Sequence, residues 1–267
     1  TRAEGDSWEV LALKKFLTVD DDHPTFLDYE SDFPSGLLPR VVAHFTDQFA
    51  LEQRIEYEKP RVTLDGLTDS MLVGVTLRDY QMTSARKLVL GGRGVVELPT
   101  GSGKTEMFAA VIRHLYNLGR RKFLFLADRV FLVQQGAARM QKRGLGEVMS
   151  IGMVGDGNFD PADLTVSTVD TLDAGIRRAD SRVLALLAEA DVLLVDECHH
   201  VGSERAARVT AHCDASERFG ATATLCEVRG EWGYRELTVE GMLGPMLVQV
   251  PGHLLREKGY LARTEVT

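Results

Sequence analysis

One stretch, Val95 to Thr105, V-V-E-L-P-T-G-S-G-K-T, restricts the folds open to this chain more than any other. Its opening residues are apolar enough for a buried strand, and the chain then turns through Pro99 and two glycines. From Lys104 onward, Phe108, Val111, Leu115 and Leu118 recur at helical spacing. Strand, glycine loop and helix in that order are what a phosphate-binding loop requires. Gly101 and Gly103 let backbone N–H groups turn inward, and the helix N-terminus adds positive potential where phosphates sit. In that arrangement Lys104, expected to be exposed, supplies a point charge to the phosphates, and Thr105 a hydroxyl ligand for Mg²⁺. Thr100, Gly101, Ser102 and Gly103 complete the cradle. The loop departs from G-x-x-x-x-G-K-[ST] at one place, where Leu98 stands five residues before Gly103.

The second constraint is Val192 to His200, V-L-L-V-D-E-C-H-H. Four apolar residues predict a buried strand with two carboxylates at its end. Beside a phosphate loop they form the other half of a nucleotide-hydrolysis site: Asp196 to hold Mg²⁺ through its water shell, Glu197 to orient and deprotonate a water.

Between and around these motifs the chain alternates. A helix is expected over about 78–90, opened by Thr76 with Asp79 in capping-box spacing. Strands are expected at 122–127, 148–154, 164–168, 191–196 and 218–222. Helices are expected after Asp128, over 181–190 and near 203–212, and G-D-G-N-F-D-P reads as a loop. That alternation predicts an α/β fold with a parallel sheet between helix layers and the ligand at the carboxyl ends of the strands.

Residues 1–73 differ in composition and are expected to form a small α+β accessory domain, with 74–267 as the nucleotide domain. Helices are expected over 8–17 and 41–53 and short strands near 54–57 and 61–64. The net charge of −8 lies wholly at this end. Residues 1–75 hold 15 acidic and 7 basic side chains, so the 39 acidic and 31 basic residues of the chain leave 24 of each beyond them. Overall charge therefore neither supports nor excludes a nucleic-acid partner. The acidic region is expected to pack on the nucleotide domain or to position a duplex through a patch around Arg40. Asp20–Asp22 read as a solvated turn rather than a metal cluster. Three cysteines, Cys198, Cys213 and Cys226, give no disulfide framework and no C-x-x-C zinc spacing. With no apolar run near the roughly 20 residues of a membrane span and no signal-like start, the expected location is the cytoplasm.

D-E-C-H resembles the Walker B box of superfamily 2 helicases of the D-E-A-H and D-E-C-H type. Other matches occur in that family's order: L-R-D-Y-Q (77–81), P-T-G-S-G-K-T (99–105), L-A-D-R-V-F-L-V-Q-Q (126–135), L-T-V-S-T-V-D-T-L (164–172) and G-A-T-A-T (220–224). The tail, from M-L-G-P-M to G-Y-L-A, resembles the exit from the first motor domain of restriction-enzyme-type and phage helicases, and F-P-S-G-L-L-P-R (33–40) resembles the start of phage-type members. The resemblance covers about residues 76–263. It implies a first RecA-like motor domain that hydrolyses ATP with Mg²⁺, with Arg78 and Gln81 on the nucleotide and Gln81 reading adenine. It puts Arg129, Gln134 and Thr168 on nucleic acid, DNA before RNA, in a bacterial cell or a phage-infected host. His199 would link the hydrolysis site to Thr222 and Thr224, which couple hydrolysis to movement. A second RecA-like domain carrying an arginine finger is implied beyond Thr267, so the 267 residues alone are expected to be nearly inactive. Two alternatives stay open: an RNA helicase of the D-E-A-H type, and a non-unwinding ATP-dependent DNA-binding subunit of a restriction or repair complex. Leu225 stands where the family usually has the proline of A-T-P.

Overall fold

Short β-rich runs alternate with amphipathic segments, and they assemble into one sheet between two helix layers. The computed structural model describes residues 35–37, 40, 43, 62–127, 130–225 and 233–261. Its strands are β1 (Arg93–Glu97), β2 (Phe123–Ala127), β3 (Ile151–Gly155), β4 (Asn158–Asp160), β5 (Leu164–Thr168), β6 (Val192–Asp196), β7 (Glu217–Thr222) and β8 (Met246–Gln249). The helices are α1 (Asp79–Gly91), α2 (Lys104–Asn117), α3 (Val130–Lys142), α4 (Val169–Arg177), α5 (Ser181–Ala188), α6 (Glu204–Ala211), α7 (Tyr234–Leu243) and α8 (Gly252–Glu257). The sheet order is β4-β3-β5-β2-β6-β7-β1-β8. All neighbours are parallel except β3 and β4.

Side chains alternate across a strand, so each buried strand feeds two cores. Phe123, Phe125 and Ala127 of β2 pack with Leu88 of α1, Phe108 and Ile112 of α2 and Met140 of α3. Leu124 and Leu126 turn to Leu172, Leu187, Val209 and Leu243, contributed by α4 to α7. Phe108 meets Phe125 edge-on, with ring centres 5.8 Å apart and planes at 84°. Burying a side chain of this size stabilises the fold by roughly 1.5–3 kcal/mol. Because the strands run parallel, the carboxyl ends of β6, β7 and β1 lie side by side. Their register pairs Asp196 with Ala221 and Thr222 with Glu97.

Several local expectations change. Helix α1 is capped at Arg78, not Thr76: the Arg78 N–H donates to the Gln81 side-chain oxygen at 2.8 Å, while Leu77 N–H is tied back to Asp69 O. The third strand begins at Ile151 because residues 145–147 form a turn of 3₁₀ helix. G-D-G-N-F-D-P is a hairpin rather than a loop. Asp156 and Gly157 both have positive φ, 53° and 78°, the geometry of a tight two-residue turn, and β4 pairs back on β3. Helices α4, α7 and α8 and strand β8 have no counterpart among the expected elements.

Of the N-terminal quarter, the helices expected at 8–17 and 41–53, the Asp20–Asp22 turn and the strand at 54–57 lie outside the described residues, apart from Ala43. No strand covers residues 62–64. Leu67 and Leu72 belong to the same core as α2, and the His114 ring nitrogen lies 2.8 Å from Thr63 O. The core that α2 joins therefore includes residues ahead of residue 73. Within F-P-S-G-L-L-P-R, Ser35–Leu37 form a single 3₁₀ turn against α7. A Cβ on Gly36 would stand 2.0 Å from Glu240 O, so only glycine allows this approach. Arg40 Nε contacts both carboxylate oxygens of the buried Glu240 at 2.9 Å, which places that side chain on α7.

Candidate active site

The loop between β1 and α2 adopts left-handed backbone at Gly101 (φ 78°) and Gly103 (φ 81°), and α2 begins at Lys104. Helix α1 grips this loop from behind. Tyr80 Oη donates to Ser102 O at 2.6 Å, and Gln81 Nε2 donates to Ser102 O at 2.8 Å and Gly103 O at 3.2 Å. A Cβ on Gly103 would lie 2.3 Å from that nitrogen. Gln81 is buried, and both ends of its amide are engaged within the protein, so in this structure it braces the loop and presents no free edge to a base. Tyr80, its neighbour in L-R-D-Y-Q, is a second brace that the sequence reading missed, although the motif itself pointed to it. Arg78 lies alongside. Its guanidinium contacts Tyr80 Oη and Tyr260 O and stacks 4.7 Å from the centre of the Tyr260 ring.

Lys104 is not exposed. Only 8% of the residue is accessible, because its ammonium bonds Glu197 Oε1 at 2.7 Å. Glu197 reaches it from the turn after β6 in a left-handed conformation, φ 49° and ψ 49°. That conformation costs a non-glycine residue roughly 1–2 kcal/mol. Burial pushes the Glu197 carboxyl upward, but the Lys104 ammonium, the Ala223 backbone N–H and His199 together hold the group below the usual glutamate range. On the other side, Glu197 Oε2 lies 3.4 Å from Thr222 Oγ1 and 3.5 Å from His199 Nδ1. His199 Nδ1 and Thr222 Oγ1 are 2.8 Å apart. Thr222 Oγ1 also lies 3.0 Å from Thr224 O and accepts from Thr224 N–H at 3.3 Å. Thr224 thus joins through its backbone; its side chain is exposed. The result is a continuous polar line, Lys104–Glu197–Thr222 with His199 beside it, across the ends of β6, β7 and the loop after β1.

Thr105 and Asp196 line one small cavity of about 60 Å³ with Gln135 and Arg139 of α3. Among the described residues no cluster of three or more His, Cys, Asp or Glu side chains could cage a metal by itself. This donor set suits a cation such as Mg²⁺ that takes one hydroxyl, one carboxylate and phosphate oxygens. Ser102 Oγ is fully buried inside the loop with no hydrogen-bond partner among the described residues, so a phosphate oxygen would reach it only once the loop opens.

The residues expected on nucleic acid are placed differently. Arg129 lies outside the described residues. Gln134 is exposed and shares a crevice of about 20 Å³ with Thr168 and the β3–β4 turn. Thr168 is buried, 4% exposed, and its hydroxyl caps α4 by accepting from Thr171 N–H at 3.2 Å. Cys198 is buried against Gly220, and burial drives its thiol far above the ordinary cysteine value, which removes it as a nucleophile. No helix among the described residues is long and apolar enough to cross a membrane.

The family model described as "Type III restriction enzyme, res subunit" matches residues 74–227. The chain is 30% identical over 198 residues to the DNA 3'-5' helicase XPB of Mycobacterium tuberculosis, which takes in 72% of this chain and 34% of that protein. It is 29% identical over 137 residues to the ATP-dependent RNA helicase DHX58 of Mus musculus, or 46% of this chain and 20% of that protein. The chain spans about a third of the first relative's length and a fifth of the second's. The solved structure of the UvsW helicase from bacteriophage T4 superposes with a TM-score of 0.65 at 19% identity, covering 83% of this chain and 81% of that one, a likeness of fold.

Proposed function

The chain belongs to the family of the type III restriction enzyme res subunit, and from that premise we propose that it is a motor domain of an ATP-dependent DNA helicase or translocase. The observation that carries this reading is the polar line from Lys104 through Glu197 to Thr222 and His199, beside a loop whose Ser102 hydroxyl has no internal partner. In this reading Lys104 leaves Glu197 for the β- and γ-phosphates, and the amides of Gly103, Lys104 and Thr105 hold the same oxygens, the Ser102 N–H being taken by Pro99 O. Thr105 and Asp196 would hold Mg²⁺, whose charge offsets that of the phosphates. Glu197, freed of its cation, takes a proton from water as the water oxygen bonds to phosphorus and the bond to ADP breaks. His199 and Thr222 steady Glu197 and carry its state to Thr224 and the segment beyond. For Gln81 and Arg78 to meet adenine, the Gln81 amide must first release the carbonyls of Ser102 and Gly103. Nucleotide binding is then coupled to loop opening.

DNA is favoured as partner by the XPB relative, and the shorter match to an RNA helicase makes RNA the competing substrate. Two cysteines, Cys198 and Cys213, are buried as free thiols, in keeping with a reducing cytoplasm. The test is steady-state phosphate release by the 267-residue chain and by a full-length protein, meaning a longer chain in which a second RecA-like domain follows it, each with no nucleic acid, with DNA and with RNA. We expect near-background turnover from the chain and DNA-stimulated turnover from the full-length protein, since an arginine supplied from a facing domain is worth about 10³–10⁵ in rate. DNA-stimulated turnover by the chain alone would refute the need for a second domain. Stimulation by RNA only would replace DNA with RNA.

A further inference from the structure

Glu97, the last residue of β1 before the phosphate loop, is half-buried yet meets no cation among the described residues. Both its oxygens are engaged by neutral donors from two other segments. Oε2 accepts from the Leu225 backbone N–H at 3.0 Å, and Oε1 accepts from the Gln249 side-chain amide at 2.9 Å. The backbone repeats the pattern. Glu97 O accepts from Val250 N–H at 2.9 Å, and the next residue, Leu98, donates to Thr222 O at 2.8 Å. Glu97 is opposite Thr222 in one ladder and Gln249 in the other.

We propose that Glu97 is a positioning residue that clamps three segments together: the root of the phosphate loop, the chain after Thr222–Thr224, and the strand β8 that leads out of the sheet. The inference rests on the motor reading above and adds a residue to it. The chemistry explains why an acid stands here. A carboxylate offers acceptors on both sides, so it can hold two N–H donors that arrive from opposite neighbours. An apolar side chain would leave both donors unmatched. Leu225 sits one residue beyond Thr224, whose backbone contacts Thr222, which in turn contacts Glu197. A shift at the loop therefore reaches the catalytic carboxylate through β7 and the exit strand through Gln249. Glu97 touches none of Lys104, Thr105 or Asp196, so its removal alters alignment and leaves the phosphate contacts in place.

The experiment compares Glu97→Ala, Glu97→Gln and Gln249→Ala. Hydrogen exchange of the Leu225 amide is measured in the 267-residue chain. ATP affinity, kcat and KM are measured in the full-length protein with DNA. We expect Glu97→Ala to speed Leu225 exchange and lower kcat by about 10- to 100-fold, the scale of a misplaced catalytic group, with ATP affinity within about 2-fold. Glu97→Gln should recover most of kcat, because its amide oxygen accepts from Leu225 while Gln249 turns its own oxygen to the new NH₂. Gln249→Ala keeps the Leu225 bond and should fall less far than Glu97→Ala. Unchanged Leu225 exchange, unchanged kcat, or a fall in ATP affinity matching the fall in kcat would each overturn the proposal. If Glu97→Ala does not fold, the other two variants decide: Gln249→Ala, which loses one of the two bonds, should lower kcat more than Glu97→Gln, which can keep both, and the reverse order or an unchanged kcat in Gln249→Ala would overturn the proposal. Absence of ATP turnover in the unsubstituted full-length protein would sink the motor reading itself, a result distinct from any of these.

Discussion

The two halves of the carboxyl rim make a useful contrast. At the ends of β6, β7 and β1, polar side chains point toward one another: Lys104 to Glu197 at 2.7 Å, His199 to Thr222 at 2.8 Å. At the ends of β3 and β5, the polar groups turn back into their own chain, as Thr168 does in capping α4. Both rims carry threonine at the last position of a buried strand. The two threonines differ in the backbone that comes next. After Thr168 a helix starts at once and needs its N–H groups capped. After Thr222 the chain continues in irregular backbone, and the hydroxyl is left for His199 and Glu197. In this structure the Thr168 hydroxyl is taken by the helix that follows it, and the Thr222 hydroxyl is left to face His199 and Glu197.

The largest expected effect breaks the first rim at its centre. Lys104→Ala should abolish Mg-ATP binding by isothermal titration. Because Lys104 is buried and paired, the variant should also lose about 1–3 kcal/mol of stability, the penalty for a partly buried charge left without its partner. Retained ATP affinity would remove the phosphate-loop assignment. Next, Thr222→Ala in the full-length protein should cut DNA-stimulated turnover by about 10- to 100-fold, as loss of an outer-shell partner does, with nucleotide affinity unchanged. Thr168→Ala supplies the opposite signature: a loss of about 1 kcal/mol from the missing cap in a denaturant melt, and unchanged ATP binding. If the two threonines gave the same pattern, the contrast between the rims would fail.

The smallest effect is a pH dependence. The Glu197 carboxyl is held below its ordinary value, so its pairing with Lys104 contributes stability that is fully present above the unfolded glutamate pKa of about 4.3. That contribution is lost as pH falls through the lower folded value. The difference in melting temperature between the unsubstituted chain and Lys104→Ala should therefore be widest near neutrality and shrink below about pH 4. A difference that grew on acidification would place the stabilising charge elsewhere.

Local sequence determined a good deal. The strand–loop–helix around Gly101–Thr105 and the apolar strand ending in Asp196-Glu197 come from short-range pattern, because glycine supplies positive φ and an apolar run must be buried. Capping at Ser203 and the placement of the 164–168 strand arise in the same way. The Asp156–Gly157 hairpin is also written locally, in a dipeptide suited to a two-residue turn. Long-range structure settled the rest. Nothing in Lys104 or Glu197 separately says that they meet, or that the lysine is covered. The sheet order places β7 between their strands, and a strained turn aims the carboxylate across it. Gln81 looks like a free amide in the sequence, yet it is buried because α1 packs behind the loop, where the bare carbonyls of Ser102 and Gly103 need donors. Strand β8 carries too few residues to be recognised alone and exists because β1 offers it an open edge. Propensity and spacing act over a few residues, whereas strand adjacency is fixed by which crossovers bury both faces of the sheet, and that is decided only when the whole chain packs.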